Sequence, residues 1–212
     1  MTIEKILKLQ NTYEFEEFGS VDIVSVEHKE LNLEIKASIY TGVENKSSQL
    51  WQISCHRVKE HKIILGEQDE DFELFSDHVL LWYYQQPVSS LTFSKAKSDV
   101  NAYYVIGKLY EKHTSLVDTW ISFDRCFNKC LDLPKLIDCG YGKLAEGAEK
   151  LIIDYQEVLL ECGFKSSYIS RPQMQWNDKQ GWIAEDSDLQ VLIIDKSYAI
   201  ANRFTAQQLT NK

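Results

Sequence analysis

Leu31, Leu33, Ile35, Ala37 and Ile39 take every second position of one stretch, with Asn32, Glu34, Lys36 and Ser38 between them. A period of two puts all the apolar side chains on one face of a strand and the polar ones on the other. A chain built this way must bury one face of a sheet. Val21–Glu27 carries the same pattern, with Val21, Ile23 and either Val24 or Val26 facing in. The short link His28-Lys29-Glu30 predicts that the two strands form a hairpin. Trp51, Ile53 and Cys55 alternate as a third strand, and Ile63–Leu65, ended by Gly66, reads as a short fourth.

Phe72–Tyr84 is the densest apolar run. Both of its alternating sets are largely apolar, which predicts a central strand covered on both sides. Pro87 fits a turn, with Val88–Phe93 returning as a shorter strand. Consecutive strands on short links imply an antiparallel meander over about residues 20–94.

Beyond Ser94 the period lengthens to that of a helix. Ala102, Val105, Ile106, Leu109 and His113 form one stripe, with Ser98 or Asp99 as the expected cap. Leu131–Pro134 reads as a turn into one helical turn at Lys135–Cys139. Leu144, Ala148, Leu151, Ile152, Tyr155, Val158, Leu159 and Cys162 read as the clearest helix, with Gly163 at its left-handed end. Residues 165–188 are polar and irregular apart from Trp176, Trp182 and Ile183. Leu189–Asp195 and Ser197–Ala201 read as two final strands or one bent hairpin, and Phe204–Lys212 as a fraying helix. The expectation is an α+β fold: an antiparallel meander packed against two main helices, near 99–113 and 144–162, with further C-terminal strands. It is expected as a single domain over 1–212, with a β-rich half (1–95) and a mixed α/β half (96–212).

The charge narrows the partners. A net charge of −9 disfavours nucleic acid, whose phosphates are met by clustered Lys and Arg. Met1–Lys5 starts no basic region followed by an apolar run, so no secretory leader is expected. No apolar run approaches the roughly 20 residues that span a bilayer, so no membrane partner is expected. Five cysteines, several in apolar segments, fit reduced thiols in a cytoplasm.

Candidate chemistry is sparse. Asp77 precedes His78, but neighbours in a strand point to opposite faces, so the expected strand separates them. His78 alone remains a general-base candidate. Of the candidate ligands Cys55, His56 and His61, the first two alternate in a strand and diverge, and Cys126 and Cys130 would need two distant ligands to hold zinc. No metal or cofactor is therefore expected. Gly140–Gly147 matches neither the P-loop nor the dinucleotide fingerprint and reads as a turn before a helix. Serine nucleophiles lack the Gly-x-Ser-x-Gly elbow.

These residues predict a non-catalytic cytoplasmic protein that engages a protein partner through an acidic or aromatic surface. Neutralising a basic protein, as immunity-type proteins do, is one form of that. Trp176 and Trp182, in the polar stretch, are the aromatics expected on such a surface. The alternative is a small-molecule-binding protein or enzyme. Its pocket would lie between sheet and helices, with His78 or His113 as the ionisable group and Trp82, Tyr84 and Arg125 as lining.

Overall fold

The structure is a computed structural model that describes residues 3–10, 19–42, 48–66, 68–69, 71–95, 100–177, 181–184 and 188–209, with the backbone alone at 68–69, 175–177 and 181–184. The fold is α+β, and its strands pair antiparallel. The chain divides into two compact units, Met1–Leu81 with Asp188–Lys212, and Trp82–Ser187.

In the first unit the expected hairpin forms from β1 (Ser20–Lys29) and β2 (Asn32–Tyr40), turning at Glu30 with φ of 55°. β2 then pairs β3 (Gln49–His56). Leu33, Ile35, Ala37 and Ile39 are fully buried, as their alternation requires. β1 resolves its own ambiguity with a bulge: Ile23 pairs Ala37 and Ser25 pairs Lys36, leaving Val24 as the extra residue. The bulge turns Val24 outward, 52% exposed, and brings Val26 onto the core.

The first sheet runs β14-β3-β2-β1-β5, where β5 is Gln68–Asp69 and β14 is Arg203–Leu209. The C-terminal segment is thus a strand and not the expected helix. Phe204 and Ala206 alternate inward, and seven residues of β14 pair along β3. A second sheet runs β4-β13-β12-β6, from Glu60–Lys62, Ser197–Ala201, Gln190–Ile194 and Phe72–Phe75. The C-terminal hairpin forms as expected, turning at Asp195 with φ of 47°. Ile63–Leu65 lies just past β4 and is not itself a strand. The two sheets and α1 (Glu4–Gln10) share one core, to which Ile6, Phe72 and Ile194 contribute fully buried side chains.

The central strand expected at Phe72–Tyr84 does not form. β6 stops at Phe75, and a 3-10 turn at Val79–Leu81 leads into the short helix α2 (Trp82–Gln85). Leu80, Leu81 and Trp82 are buried in succession, which a turn of helix permits. An apolar run of this length fits a buried strand and a buried helical turn equally in sequence.

The second unit is built on a sheet ordered β8-β7-β9, from Tyr141–Ala148, Val88–Lys95 and Phe164–Arg171. Leu144–Ala148 therefore ends a strand, and the helix that follows, α5, spans only Glu149–Glu161. α5 buries Leu151, Ile152, Tyr155, Val158 and Leu159, and Gly163 just past its end has φ of 82°. The stretch read as irregular after 165 contains β9 and a hairpin of β10 (Met174–Asn177) with β11 (Gly181–Ala184). α3 (Ala102–Val117) packs along α5, with Lys112 Nζ 2.6 Å from Asp154. α4 (Leu133–Cys139), with Pro134 in its first turn, packs on α3 and β8.

Candidate functional site

α3 is where the second unit brings its chemistry together. Asn101 caps it, accepting from the backbone N–H of Tyr103 at 2.8 Å and of Tyr104 at 3.3 Å. The expected caps Ser98 and Asp99 lie outside the described residues. One face of α3 buries Ala102, Val105, Leu109, His113 and Val117. Tyr103 and Tyr110 are exposed along the flank of that face, in one row with Val117, and Tyr104 is exposed on the far side.

His113 is buried but fully bonded. Its Nε2 lies 2.7 Å from the carbonyl of Ile121 and must donate, because a carbonyl only accepts. Nδ1 is then bare and accepts from the Tyr155 hydroxyl at 2.7 Å. Tyr155 in turn touches the Cys126 thiol, whose sulfur is 2.6 Å from the Tyr83 hydroxyl. Burial lowers the His113 pKa below the ordinary 6.5 and raises those of Cys126 and Tyr155 above their ordinary values. Each of these groups is thus held neutral. This relay positions α3, α5 and the segment between Ile121 and Phe127 against one another.

Next to the relay is a groove of about 420 Å³ between α3, the 3-10 turn Phe123–Arg125 and α4. Tyr103, Ile106, Phe123, Phe127, Leu133 and Pro134 supply its apolar lining. Asp124, Asn128 and Lys129 supply the polar lining, and Lys129 lies 3.9 Å from Asp124 across two exposed side chains. Phe123 is fixed by ring contacts, edge-on to Tyr110 at 5.3 Å and to His113 at 5.4 Å, and 4.6 Å from Phe127. Apolar walls with a few polar groups suit a ligand side chain or a small aromatic molecule. The lining offers no histidine or cysteine to act as base or nucleophile.

The residues singled out in sequence fall in different places. His78 belongs to the first unit and Trp82, Tyr84, His113 and Arg125 to the second. His78 precedes the 3-10 turn, its Nδ1 accepting from the Leu80 N–H at 3.3 Å and its ring stacked on Phe75 at 5.4 Å. Burial lowers its pKa, against a smaller opposing effect of Asp77. The segment is a bend and not a strand, so alternation is not what governs this pair. Trp82 is buried with the Lys150 ammonium 4.7 Å from its ring centre, and Tyr84 is half-buried. Arg125 lies over the Tyr83 ring at 4.5 Å. His113 meets the groove wall at Phe123, and none of the five lines it. Trp176 and Trp182 are paired in register across the β10–β11 hairpin, and their side chains lie outside the described residues.

Among the described residues, no three His, Cys, Asp or Glu side chains come together as a metal site. Nor is any helix among them long and apolar enough to cross a membrane. The groove is hidden in sequence because its lining comes from three separate elements. The signal that points toward it is the pair Tyr103 and Tyr110, seven residues apart on the flank of the buried stripe of α3.

No family model, no curated protein and no solved structure matches the chain.

Proposed function

We propose that the protein is a non-catalytic binding protein that engages a protein partner through the groove of its second unit. The observation that carries this reading is the groove itself: an open apolar trough beside the exposed Tyr103 and Tyr110, with its neighbouring acid–base groups buried and mutually bonded. Tyrosine and phenylalanine are enriched where proteins meet.

Charge supports a basic partner. The first unit carries eleven Lys and Arg against eighteen Asp and Glu, a net −7, while the second carries twelve against fourteen, a net −2. An acidic chain attracts a basic protein over a distance, and the apolar contact falls to the groove. The same acidity argues against nucleic acid. Free cysteines, with burial pushing Cys55 up to about 12, fit a reducing cytoplasm.

A photo-crosslinking residue at Tyr103, introduced in cells, tests this. The expected result is one defined adduct with a basic protein, reduced about tenfold when Phe123→Ala removes the groove wall. Equal adducts from position 160, on the exposed Leu160 of α5, would overturn the reading.

A second reading is favoured by the groove's size, which lies within the range of small-molecule sites. An apolar aromatic ligand would then raise the melting temperature by mass action, and Phe123→Ala would abolish the rise. This ligand site would be built without His78.

A further inference from the structure

The relay and the groove share two phenyl rings. Phe123 and Phe127 line the groove. Behind them, Phe123 stands edge-on to His113 at 5.4 Å and Phe127 stacks on Tyr155 at 5.2 Å, with 4.6 Å between the two phenyl rings. Nδ1 of His113 is the nitrogen left to take a second proton, because Nε2 already carries one toward the Ile121 carbonyl. A proton there meets the proton that Tyr155 donates. Tyr155 must then turn its hydroxyl to the Cys126 sulfur, and the direction of bonding reverses along the relay toward Tyr83.

That reversal satisfies the hydrogen bonds but does not solvate the charge. Among the described residues, no carboxylate bonds His113. Tyr155 is the titratable group that α5 presents to it, while Asp154 and Glu157 of that helix hold Lys112 at 2.6 and 3.5 Å. Cys126 and Tyr83 stand behind Tyr155, and Asp124 and Arg125 are exposed on the 3-10 turn. At the start of α4, Asp132 is paired with Lys135 at 2.8 Å. A buried imidazolium without an anion needs water. Of the residues in contact with its ring, Ile121 and Tyr155 are buried and Phe123 is half-buried. Phe123 also sits on a short support, a three-residue turn whose cap Ser122 makes no side-chain bond. Water therefore comes to His113 from the groove side, by displacing Phe123.

We infer that the groove is gated by pH: a proton on Nδ1 of His113 draws water in past Phe123 and breaks the Phe123–Phe127 wall, so the groove holds an apolar side chain of its partner at neutral pH and releases it in acid. The inference rests on the groove as the binding site and adds its control. The converse follows by linkage: an apolar occupant covers Phe123 and Phe127, seals His113 further from water and keeps it neutral. Burial already holds the pKa of the ring below 6.5, so the release lies on the acid side of that value.

Two measurements on the full chain test the gate. The first needs no ligand: NMR follows the rings of His113, Phe123 and Phe127 through an acid titration. The three are expected to move together while Trp51, buried in the first unit, stays unchanged. Phenyl rings that hold still while His113 charges overturn the inference, as does a His113 that stays neutral until the chain unfolds. In the second, the neutral fluorescent probe N-phenyl-1-naphthylamine is expected to bind at about pH 7.5 and to lose up to about tenfold in affinity per pH unit through the titration. His113→Gln keeps both bonds, since its amide NH2 donates to Ile121 and its amide oxygen accepts from Tyr155, yet it carries no titratable proton. Its affinity is expected to stay within about twofold over the same range. An equal loss in wild type and variant overturns the gate. A probe that binds at no pH counts against an apolar groove site, and the ring titration then decides the gate by itself.

Discussion

Tyr155 donates its hydroxyl proton to Nδ1 of His113 across 2.7 Å, tying α5 to α3 at the centre of the second unit. Both residues are buried, so neither has water as a substitute partner. The bond fixes the histidine tautomer, because Nε2 is committed to the carbonyl of Ile121.

Tyr155→Phe is the sharpest test of that arrangement. The ring keeps its stacking on Phe127, 5.2 Å away, and only the hydroxyl is lost. His113 Nδ1 is left buried without its donor, which costs about 1–3 kcal/mol. Urea denaturation should show a lower midpoint with an unchanged slope. A midpoint equal to that of the wild type would mean that His113 is not sealed from water.

The same histidine predicts a pH dependence. Burial holds its folded pKa below the ordinary 6.5, while in the unfolded chain it titrates near that value. Below 6.5 the unfolded chain binds a proton that the folded one refuses. The stability this group contributes is therefore full above 6.5 and falls as the pH drops toward the folded pKa, with a limiting slope of about 1.4 kcal/mol per pH unit. His61 and His78 shift in the same direction and add to the slope. Unfolding free energies measured on either side of pH 6.5 should fall less steeply in His113→Gln than in the wild type. Equal slopes would show that His113 charges freely in the fold.

Gly147 is where β8 passes the relay. A Cβ there would lie 3.2 Å from the Tyr83 hydroxyl and 3.4 Å from the Cys126 sulfur. Both atoms are held by their mutual contact, so neither yields cheaply. Gly147→Ala should cost about 1–3 kcal/mol, and Gly147→Val more, read as lowered melting temperatures. Any gain in stability for Gly147→Ala would show that the relay has slack on that side.

Legibility followed the number of faces an element buries. β2, β12 and β13 could be read because their alternation or apolar run admits one arrangement, and the buried stripe of α3 because its period is unambiguous. Leu144 and Ala148 misled because a spacing of four fits a helix face as well as a bulged strand. Here Leu91 pairs Ala145 and Thr92 pairs Lys143, so Leu144 is the extra residue and stays buried. β9 and β14 escaped because an edge strand needs few apolar residues, and Ile169 of β9 is exposed. The histidine bonds and the groove rest on contacts between residues far apart in sequence, which no local pattern encodes.

Val24 and Val26 are equivalent in sequence, and the bulge in β1 separates them. Val24 points to solvent, whereas Val26 packs on the core and pairs with the fully buried Ile35. Val24→Lys should stay within about 0.5 kcal/mol of the wild type, because an exposed position on a sheet face accepts a charge. Val26→Lys would bring an ammonium against apolar neighbours and should cost about 1–3 kcal/mol. Without the bulge, strict alternation from the buried Ile23 would turn Ser25 inward and send both valines to solvent. Chemical denaturation of the two variants therefore reads the bulge directly. Equal tolerance of lysine at both positions would mean that β1 runs as a regular strand, with the hydroxyl of Ser25 facing the core in place of Val26.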